Sequence, residues 1–145
     1  MIEAAKEAGR ELVNEAGGRL RIARITADGR IDVDHLASLV GPRTKVVAFP
    51  HVSNALGTID DVAALSAIAR RVGAVVVCDG AQGAPHFPLA LDQMDVDFYA
   101  FSGHKMLGPM GIGGLVGRRE LLEHMEPYQM GGDMIEFVGD DRTTW

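Results

Sequence analysis

Two short apolar runs separated by an amphipathic stretch constrain the fold of this chain more than any other feature. The runs are KVVAF at 45–49 and AVVVC at 74–78, and both are continuous and rich in β-branched residues. Such runs are typical of strands that are buried on both faces of a parallel sheet. Between them, apolar residues recur at helical spacing: Val62, Leu65, Ile68, Ala69 and Val72. The pattern predicts a strand, a helix and a second strand parallel to the first, joined by a right-handed crossover.

Shorter patterns extend this unit on both sides. Before it, we expect a helix over 3–16, a short strand over 19–26, a turn over 28–30 and a short helix capped by Asp32. After it, DFYAFS at 97–102 predicts a third strand, IGGLVG at 112–117 a fourth strand antiparallel to the third, and RRELLEHM at 118–125 a helix. The tail GDDRTTW has no strong pattern. The expected fold class is α/β: a mostly parallel sheet with flanking helices and one antiparallel strand, in a single domain over 1–145.

Charge and hydropathy argue against two classes of partner. The net charge is −6 and the basic residues are scattered, so we expect no positive face for a nucleic acid backbone. The longest uninterrupted apolar run is about five residues, from Ala74 to Cys78, whereas a membrane-spanning helix needs roughly 20. We therefore expect neither nucleic acid nor a membrane as a partner. The single cysteine fits a reducing compartment, and a cytoplasmic location is the expectation.

Each apolar strand runs directly into polar residues. The first strand is followed by Pro50, His51, Ser53 and Asn54, the second by Asp79 and Gln82, and the third by Ser102, His104 and Lys105. Because the carboxyl ends of parallel strands form the edge at which α/β sheets bind ligands, we expect these side chains to converge. Asp79 is either a turn or cap residue or a functional carboxylate. In the second case we expect it to be partly desolvated and to face a cation, either Lys105 or a ligand.

Lys105 is open to three interpretations: a solvated charge, a phosphate ligand, or an amine for covalent chemistry. It is not a P-loop lysine, because that motif is G-x-x-x-x-G-K-[ST] and Met106 follows Lys105 here. The glycines over 108–117 also miss the G-x-G-x-x-G spacing. The remaining specific role is an amine that forms a Schiff base, and a snorkelling surface lysine is the competing interpretation.

The histidines and the cysteine predict neither a metal site nor a nucleophilic thiol. The five histidines, at 35, 51, 86, 104 and 124, form no short-range ligand pair such as H-E-x-x-H, so no metal is expected. Cys78 lies inside a strand, where successive side chains alternate between the faces. We therefore expect Cys78 to point away from Asp79 and to pack in the core.

Four segments resemble a known family. HVSNALGT at 51–58, CDGAQGAPH at 78–86, DFYAFSGHKMLGPMGIGGL at 97–115 and GGDMI at 131–135 are similar, in the same order, to fold-type I pyridoxal phosphate enzymes of aminotransferase class V. The similarity is greatest to the SUF-type cysteine desulfurase and selenocysteine lyase group. It implies the central part of the large domain, without the family's N-terminal segment and C-terminal small domain. Cys78 does not match the family's persulfide-forming cysteine, which belongs to that C-terminal domain.

The resemblance implies a role for each candidate residue. Lys105 would hold pyridoxal 5'-phosphate as a Schiff base and act as the general base at the substrate α-carbon. Asp79 would pair with the protonated pyridine nitrogen. Gln82 would bind the phenolic oxygen, and Asn54 would lie near this oxygen and the substrate carboxylate. Ser102 and His104 would hold the phosphate.

The implied activity is conversion of L-cysteine to L-alanine, with the sulfur passing to an enzyme cysteine for iron–sulfur cluster assembly. The implied partners are the amino-acid substrate, a sulfur-acceptor protein and a second copy in a homodimer. Two alternatives stay open. One is another class V reaction, such as transamination, racemisation, selenocysteine lysis or kynureninase-type cleavage. The other is a non-catalytic remnant that binds the cofactor weakly or only supports a partner chain.

Overall fold

A four-stranded sheet forms the centre of the molecule. The structure is a computed structural model that describes residues 9–11, 13–126, 131, 134–141 and 143–144. Its strands lie in the order β1 (Val46–Pro50), β2 (Val75–Asp79), β3 (Phe98–Ser102) and β4 (Gly113–Gly117). The first three are parallel and β4 is antiparallel to β3. The expected fold class, a mostly parallel sheet with one antiparallel strand and helices, is confirmed.

Short helices connect and flank these strands. They are α1 (Val33–Leu39), α2 (Val62–Arg70), α3 (Leu91–Met94), α4 (Arg119–Leu122) and a 3-10 helix at Gly103–Met106. The side chain of Asp32 caps α1 and that of Asp61 caps α2, by accepting hydrogen bonds from backbone amides at 2.9 and 3.0 Å. In the described part of the chain, no helix is long and apolar enough to span a bilayer.

The core lies on one face of the sheet. On this face Val47 and Phe49 of β1, with Val76 and Cys78 of β2, are at most 6% exposed. They form one cluster with apolar residues of the helices: Leu36, Val62, Leu65, Ile68 and Ala69. Burial of these alternate strand positions and of the amphipathic face of α2 stabilises the βαβ unit that the sequence predicts.

The opposite face of the sheet is partly open, so the prediction of strands buried on both faces is wrong. Val46 is 56% exposed, although its neighbour Val47 is buried. Val75 and Val77 of β2 are half-buried on the same open face. The helical residues of the core cluster pack against the other face, and the described part of the chain provides no comparable layer here.

Other segments also differ from the prediction. Residues 19–26 form no strand and have only an isolated bridge from Ile25 to Ile31, in keeping with the imperfect alternation of RLRIARIT. The helix expected over 118–125 is limited to Arg119–Leu122. In the tail, β5 (Phe137–Val138) pairs with β6 (Thr143–Thr144), which no pattern predicted. The predicted first helix is helical at 9–11 and 13–15, and its positions 3–8 and 12 lie outside the described residues.

A buried carboxylate joins several elements at the amino ends of β2 and β3. Asp97 is 5% exposed and accepts hydrogen bonds from both terminal nitrogens of Arg70, at 2.7 and 2.8 Å. It also accepts from the backbone amide of Val76 at 2.7 Å, and Nε of Arg118 lies 3.0 Å away. Burial opposes ionisation of Asp97, but the hydrogen bonds from Arg70 and Val76 outweigh it, so the pKa of Asp97 lies below its usual range. One carboxylate thus ties α2 and β2 to the start of β3.

We expect Asp97→Asn to lower the free energy of unfolding by about 2–4 kcal/mol, because it removes the buried charge partner of Arg70 and leaves only the more exposed Asp95 beside it. Urea denaturation of the purified chain at pH 7 measures the change. Asp92→Asn removes an exposed carboxylate from α3 and is the matched control, with an effect within about 0.5 kcal/mol. Equal stability of the two variants would contradict the structural role of Asp97.

Asp97 also makes the free energy of unfolding of the chain depend on pH. Because the folded state depresses the pKa of Asp97, its contribution is fully present above the unfolded pKa of about 3.9. The contribution is lost as the pH falls below that value and through the folded pKa. The difference in stability between the wild-type chain and Asp97→Asn should therefore shrink below about pH 4.

Candidate functional site

The carboxyl ends of β1, β2 and β3 deliver polar side chains to one edge of the sheet, as the sequence predicts. In the parallel register Pro50 lies beside Asp79, and Asp79 beside Ala100, so the loops after the three strands leave at the same level. Nζ of Lys105 donates a hydrogen bond to Oδ1 of Asn54 at 3.1 Å. Nε2 of Gln82 donates to the same oxygen. A single amide oxygen thereby joins residues that follow three different strands.

The backbone that carries Lys105 depends on a close approach at Gly103. Lys105 lies in the 3-10 helix directly after β3 and is half-buried. The amide of Gly103 donates to the carbonyl oxygen of Ile112 at 2.8 Å. A Cβ at Gly103 would lie 2.9 Å from that oxygen, so a larger residue would displace the turn. The backbone of Lys105 is therefore held at the carboxyl end of β3 by this turn.

Ser102 and His104 form a second polar group beside Lys105. The hydroxyl of Ser102 and Nδ1 of His104 lie 2.8 Å apart, within hydrogen-bond distance. A hydroxyl and an imidazole are both able to donate hydrogen bonds to an anion, because the hydroxyl hydrogen rotates and the imidazole has two nitrogens. These two residues are thus a candidate anion-binding group on the same edge.

Asp79 is exposed, and the expectation of a partly desolvated carboxylate is wrong. It is the last residue of β2 and, by alternation, lies on the open face with Val75 and Val77. One of its oxygens accepts a hydrogen bond from the backbone amide of Ala81 at 2.9 Å. Among the described residues it forms no ion pair with Lys105. Its charge is therefore accessible to a ligand.

Cys78 points into the core, as predicted. Its side chain is 0% exposed and lies on the face opposite to that of Asp79. Burial, with a smaller contribution from the negative charge of Asp79, raises the pKa of the thiol to about 12. Because the thiolate is the reactive form, Cys78 is an inert core residue.

A hydrogen bond beneath the site was not found from the sequence. The hydroxyl of Tyr99 lies 2.9 Å from Nδ1 of His51, and Tyr99 is 1% exposed. Burial lowers the pKa of His51, against the opposing effect of the Asp60 carboxylate, and burial raises the pKa of Tyr99 to about 12. Both side chains are therefore neutral at pH 7. The available signal was the alternation of DFYAFS, which places Tyr99 on the inner face of the sheet.

An open cavity of about 310 Å³ borders the cluster of Asn54 and Gln82. Its lining consists of Val52, Ser53, Asn54, Gly57, Ile59, Gln82, His86 and Phe87. The two amides of the site thus border space for a small molecule, whereas Lys105 and Asp79 are not among the lining residues of this cavity. Over the described ranges, no three His, Cys, Asp or Glu side chains are grouped so that they could hold a metal ion.

Comparison with known proteins identifies the family. The model of the family described as aminotransferase class-V matches residues 2–145. The chain belongs to this family. Its members use pyridoxal phosphate as their cofactor. The resemblance that the four sequence segments indicate is thereby confirmed.

The most similar relatives include several cysteine desulfurases. A cysteine desulfurase of Haloferax volcanii is 44% identical over 135 residues, which are 93% of this chain and 32% of the relative. A probable cysteine desulfurase of Staphylococcus aureus is 48% identical over 135 residues, covering 93% of this chain and 33% of the relative. The chain therefore spans about a third of the length of the curated relatives it matches.

Solved structures give the same result. The cysteine desulfurase CsdA of Escherichia coli superimposes with a TM-score of 0.88 and 43% identity, over 92% of this chain and 34% of that one. An apo cysteine desulfurase of Thermococcus onnurineus gives a TM-score of 0.84 and 38% identity, over 93% of this chain and 34% of that one. The fold is therefore the one that the class V resemblance implies.

We expect the thiol of Cys78 to react with a disulfide reagent at least roughly a hundredfold more slowly in the native chain than in the unfolded chain, because burial suppresses the thiolate. Stopped-flow absorbance with Ellman's reagent at pH 8, with and without urea, measures the two rates. Cys78 is the only cysteine, so the signal has one source. Equal rates would show that this face of β2 is open to solvent.

Proposed function

We propose that this chain is the cofactor-binding part of a cysteine desulfurase. The enzyme converts L-cysteine to L-alanine with pyridoxal phosphate and passes the sulfur to an enzyme cysteine for iron–sulfur cluster assembly. The observation that carries the proposal is the 3.1 Å contact from Nζ of Lys105 to Oδ1 of Asn54, because it places a primary amine among the polar groups of two other loops. The similarity to cysteine desulfurases over 93% of the chain supports the same conclusion.

The donor set at this edge fits pyridoxal phosphate. Lys105 offers a primary amine to the aldehyde, and the exposed carboxylate of Asp79 offers a negative charge to the pyridine nitrogen. The other polar groups are hydrogen-bonding partners for the phenolic oxygen and the phosphate: Asn54 and Gln82 for the first, and Ser102 and His104 for the second. Each functional group of the cofactor thus has a matching residue.

When it is bound, the cofactor withdraws electrons from the α-carbon of the amino-acid substrate. The residues of the chain hold this group and move protons. The carboxylate of Asp79 keeps a proton on the pyridine nitrogen, since a negative charge nearby favours the protonated form. Nζ of Lys105 serves as the base that removes the proton from the α-carbon. Oδ1 of Asn54 orients this amine through its hydrogen bond.

Cys78 is not the proposed sulfur acceptor. The reaction needs a thiolate beside the substrate sulfur, whereas Cys78 faces the core and its pKa is raised to about 12 by burial. It is the only cysteine of these 145 residues. We therefore propose that the reactive thiol comes from outside this segment, and that the segment corresponds to part of the large domain of the complete enzyme.

Further proposals concern partners and location. The complete protein is proposed to be a cytoplasmic homodimer that transfers sulfur to an acceptor protein. The loop after Lys105 supports the dimer, because three of its apolar side chains are largely exposed: Leu107, Met110 and Ile112, at 103%, 85% and 59%. Exposed apolar side chains grouped in one loop are a feature that we expect of a protein interface.

We expect borohydride reduction in the presence of pyridoxal phosphate to label Lys105, because its amine lies among the groups that would hold the cofactor. Mass spectrometry of tryptic peptides measures the label at each lysine. Lys105→Arg should abolish the label. Lys45→Arg changes an exposed lysine just before β1, at the amino end of that strand, and should retain the label. Equal labelling of Lys45 and Lys105 would contradict the proposed site.

We expect Asp79→Asn to weaken binding of pyridoxal phosphate by roughly tenfold to a hundredfold, because a neutral amide replaces the carboxylate and the charged hydrogen bond to the pyridine nitrogen is lost. Absorbance titration of the purified chain with the cofactor measures the dissociation constant. Asp92→Asn removes an exposed carboxylate elsewhere and is the control, with unchanged affinity. Unchanged affinity in Asp79→Asn would remove this residue from the proposed site.

A further inference from the structure

The turn that follows β2 rests directly on the ring of Tyr99. This turn, residues 79–84, carries Asp79 and Gln82, and the amide of Gly80 donates to the carbonyl oxygen of Ala100 at 2.8 Å. A Cβ at Gly80 would overlap the Tyr99 ring, and a Cβ at Gly83 would overlap both the Tyr99 hydroxyl and the His51 imidazole. Because these two glycines have no side chain, the backbone of the turn packs directly against the Tyr99 side chain.

His51 connects this turn to the loop after β1. Its backbone amide donates to the carbonyl oxygen of Asp79 at 2.8 Å, and its Nδ1 lies 2.9 Å from the Tyr99 hydroxyl. Its ring also packs against that of Phe87, with 5.8 Å between the ring centroids. His51 lies three residues before Asn54. Its position therefore fixes the start of the loop that carries the Asn54 amide.

We propose that the hydrogen bond between His51 and Tyr99 is a positioning device that sets the turn of residues 79–84 against the loop of Asn54. The contact of Gln82 with Asn54 spans these two segments and requires both to be in place. The inference rests on the proposed function in one respect, namely that the groups positioned in this way hold the cofactor. His51 and Tyr99 act as positioning residues, through Asp79, Gln82 and Asn54.

Tyr99→Phe is the variant that tests the hydrogen bond, because it removes the hydroxyl and keeps the ring beneath Gly80. The first readout is hydrogen exchange of the Ala84 amide, which donates to the carbonyl oxygen of Gly80 at 2.8 Å within the turn. It is measured by NMR in the chain without added cofactor, relative to the amide of Val76 in the core. We expect the ratio of the Ala84 exchange rate to the Val76 exchange rate to rise roughly fivefold to tenfold, which is the factor that corresponds to the loss of one ordinary hydrogen bond.

The second readout is the dissociation constant for pyridoxal phosphate, which we expect to rise by a similar factor of roughly five to ten. His51→Ala also removes the packing of the ring against Phe87, so it should show at least the effect of Tyr99→Phe in both readouts, and the double variant should lose no more than His51→Ala alone. His51→Asn places an amide group where Nδ1 lies and should restore much of the loss. His124→Asn changes an exposed histidine that follows α4 and belongs to neither of the two segments, and it should change neither readout.

The outcomes separate this proposal from the proposed function. Equal acceleration of the Ala84 and Val76 amides in Tyr99→Phe would show a general loss of stability and overturn the positioning role. Unchanged exchange at Ala84, or additive losses in the double variant, would overturn it as well. If the wild-type chain binds no pyridoxal phosphate, the proposed function fails, while the exchange ratio still decides whether the hydrogen bond positions the turn.

Discussion

The parallel register of β1, β2 and β3 is the constraint on which the rest of the structure depends. Pro50, Asp79 and Ala100 lie side by side, so the polar loops after three separate strands meet at one edge. A slip of one residue in β2 would turn Asp79 into the core and Cys78 to the open face. Asp97 opposes such a slip at the other edge, because its carboxylate binds the amide of Val76 in β2. The buried charge and the site are therefore coupled through one strand.

The elements that could be predicted from the sequence are those whose pattern is local. The apolar runs and the helical spacing between them are sufficient for β1, α2 and β2, and Asp32 marks where α1 begins. Coverage of the second face of the sheet is not a local property, because it depends on segments elsewhere in the protein. For the same reason KVVAF alone did not distinguish a strand with one buried face from a strand with two. The pairing of β5 with β6 involves two-residue strands, which are too short to carry a period.

The candidate site could be predicted in outline from the same reasoning. The rule that polar residues after parallel strands share an edge is sufficient to bring Lys105, Asn54 and Gln82 together, and these three are in contact. The environment of each group was less predictable. Asp79 is exposed because it ends the strand on the open face. The contact between His51 and Tyr99 joins residues 48 positions apart through one rotamer of each, which no sequence period encodes.

The neighbours Cys78 and Asp79 show how alternation along one strand separates two kinds of chemistry. The thiol is in the core, where burial raises its pKa to about 12, and the carboxylate is on the open face. The negative charge of Asp79 further disfavours the thiolate, so the carboxylate proposed to hold a proton on the cofactor also suppresses the nearest nucleophilic sulfur. An aldehyde that reaches this edge therefore meets Lys105 as its nucleophile and not Cys78. The alternation of side chains along β2 thus keeps the competing thiol out of the proposed site, and no other residue is needed to shield it.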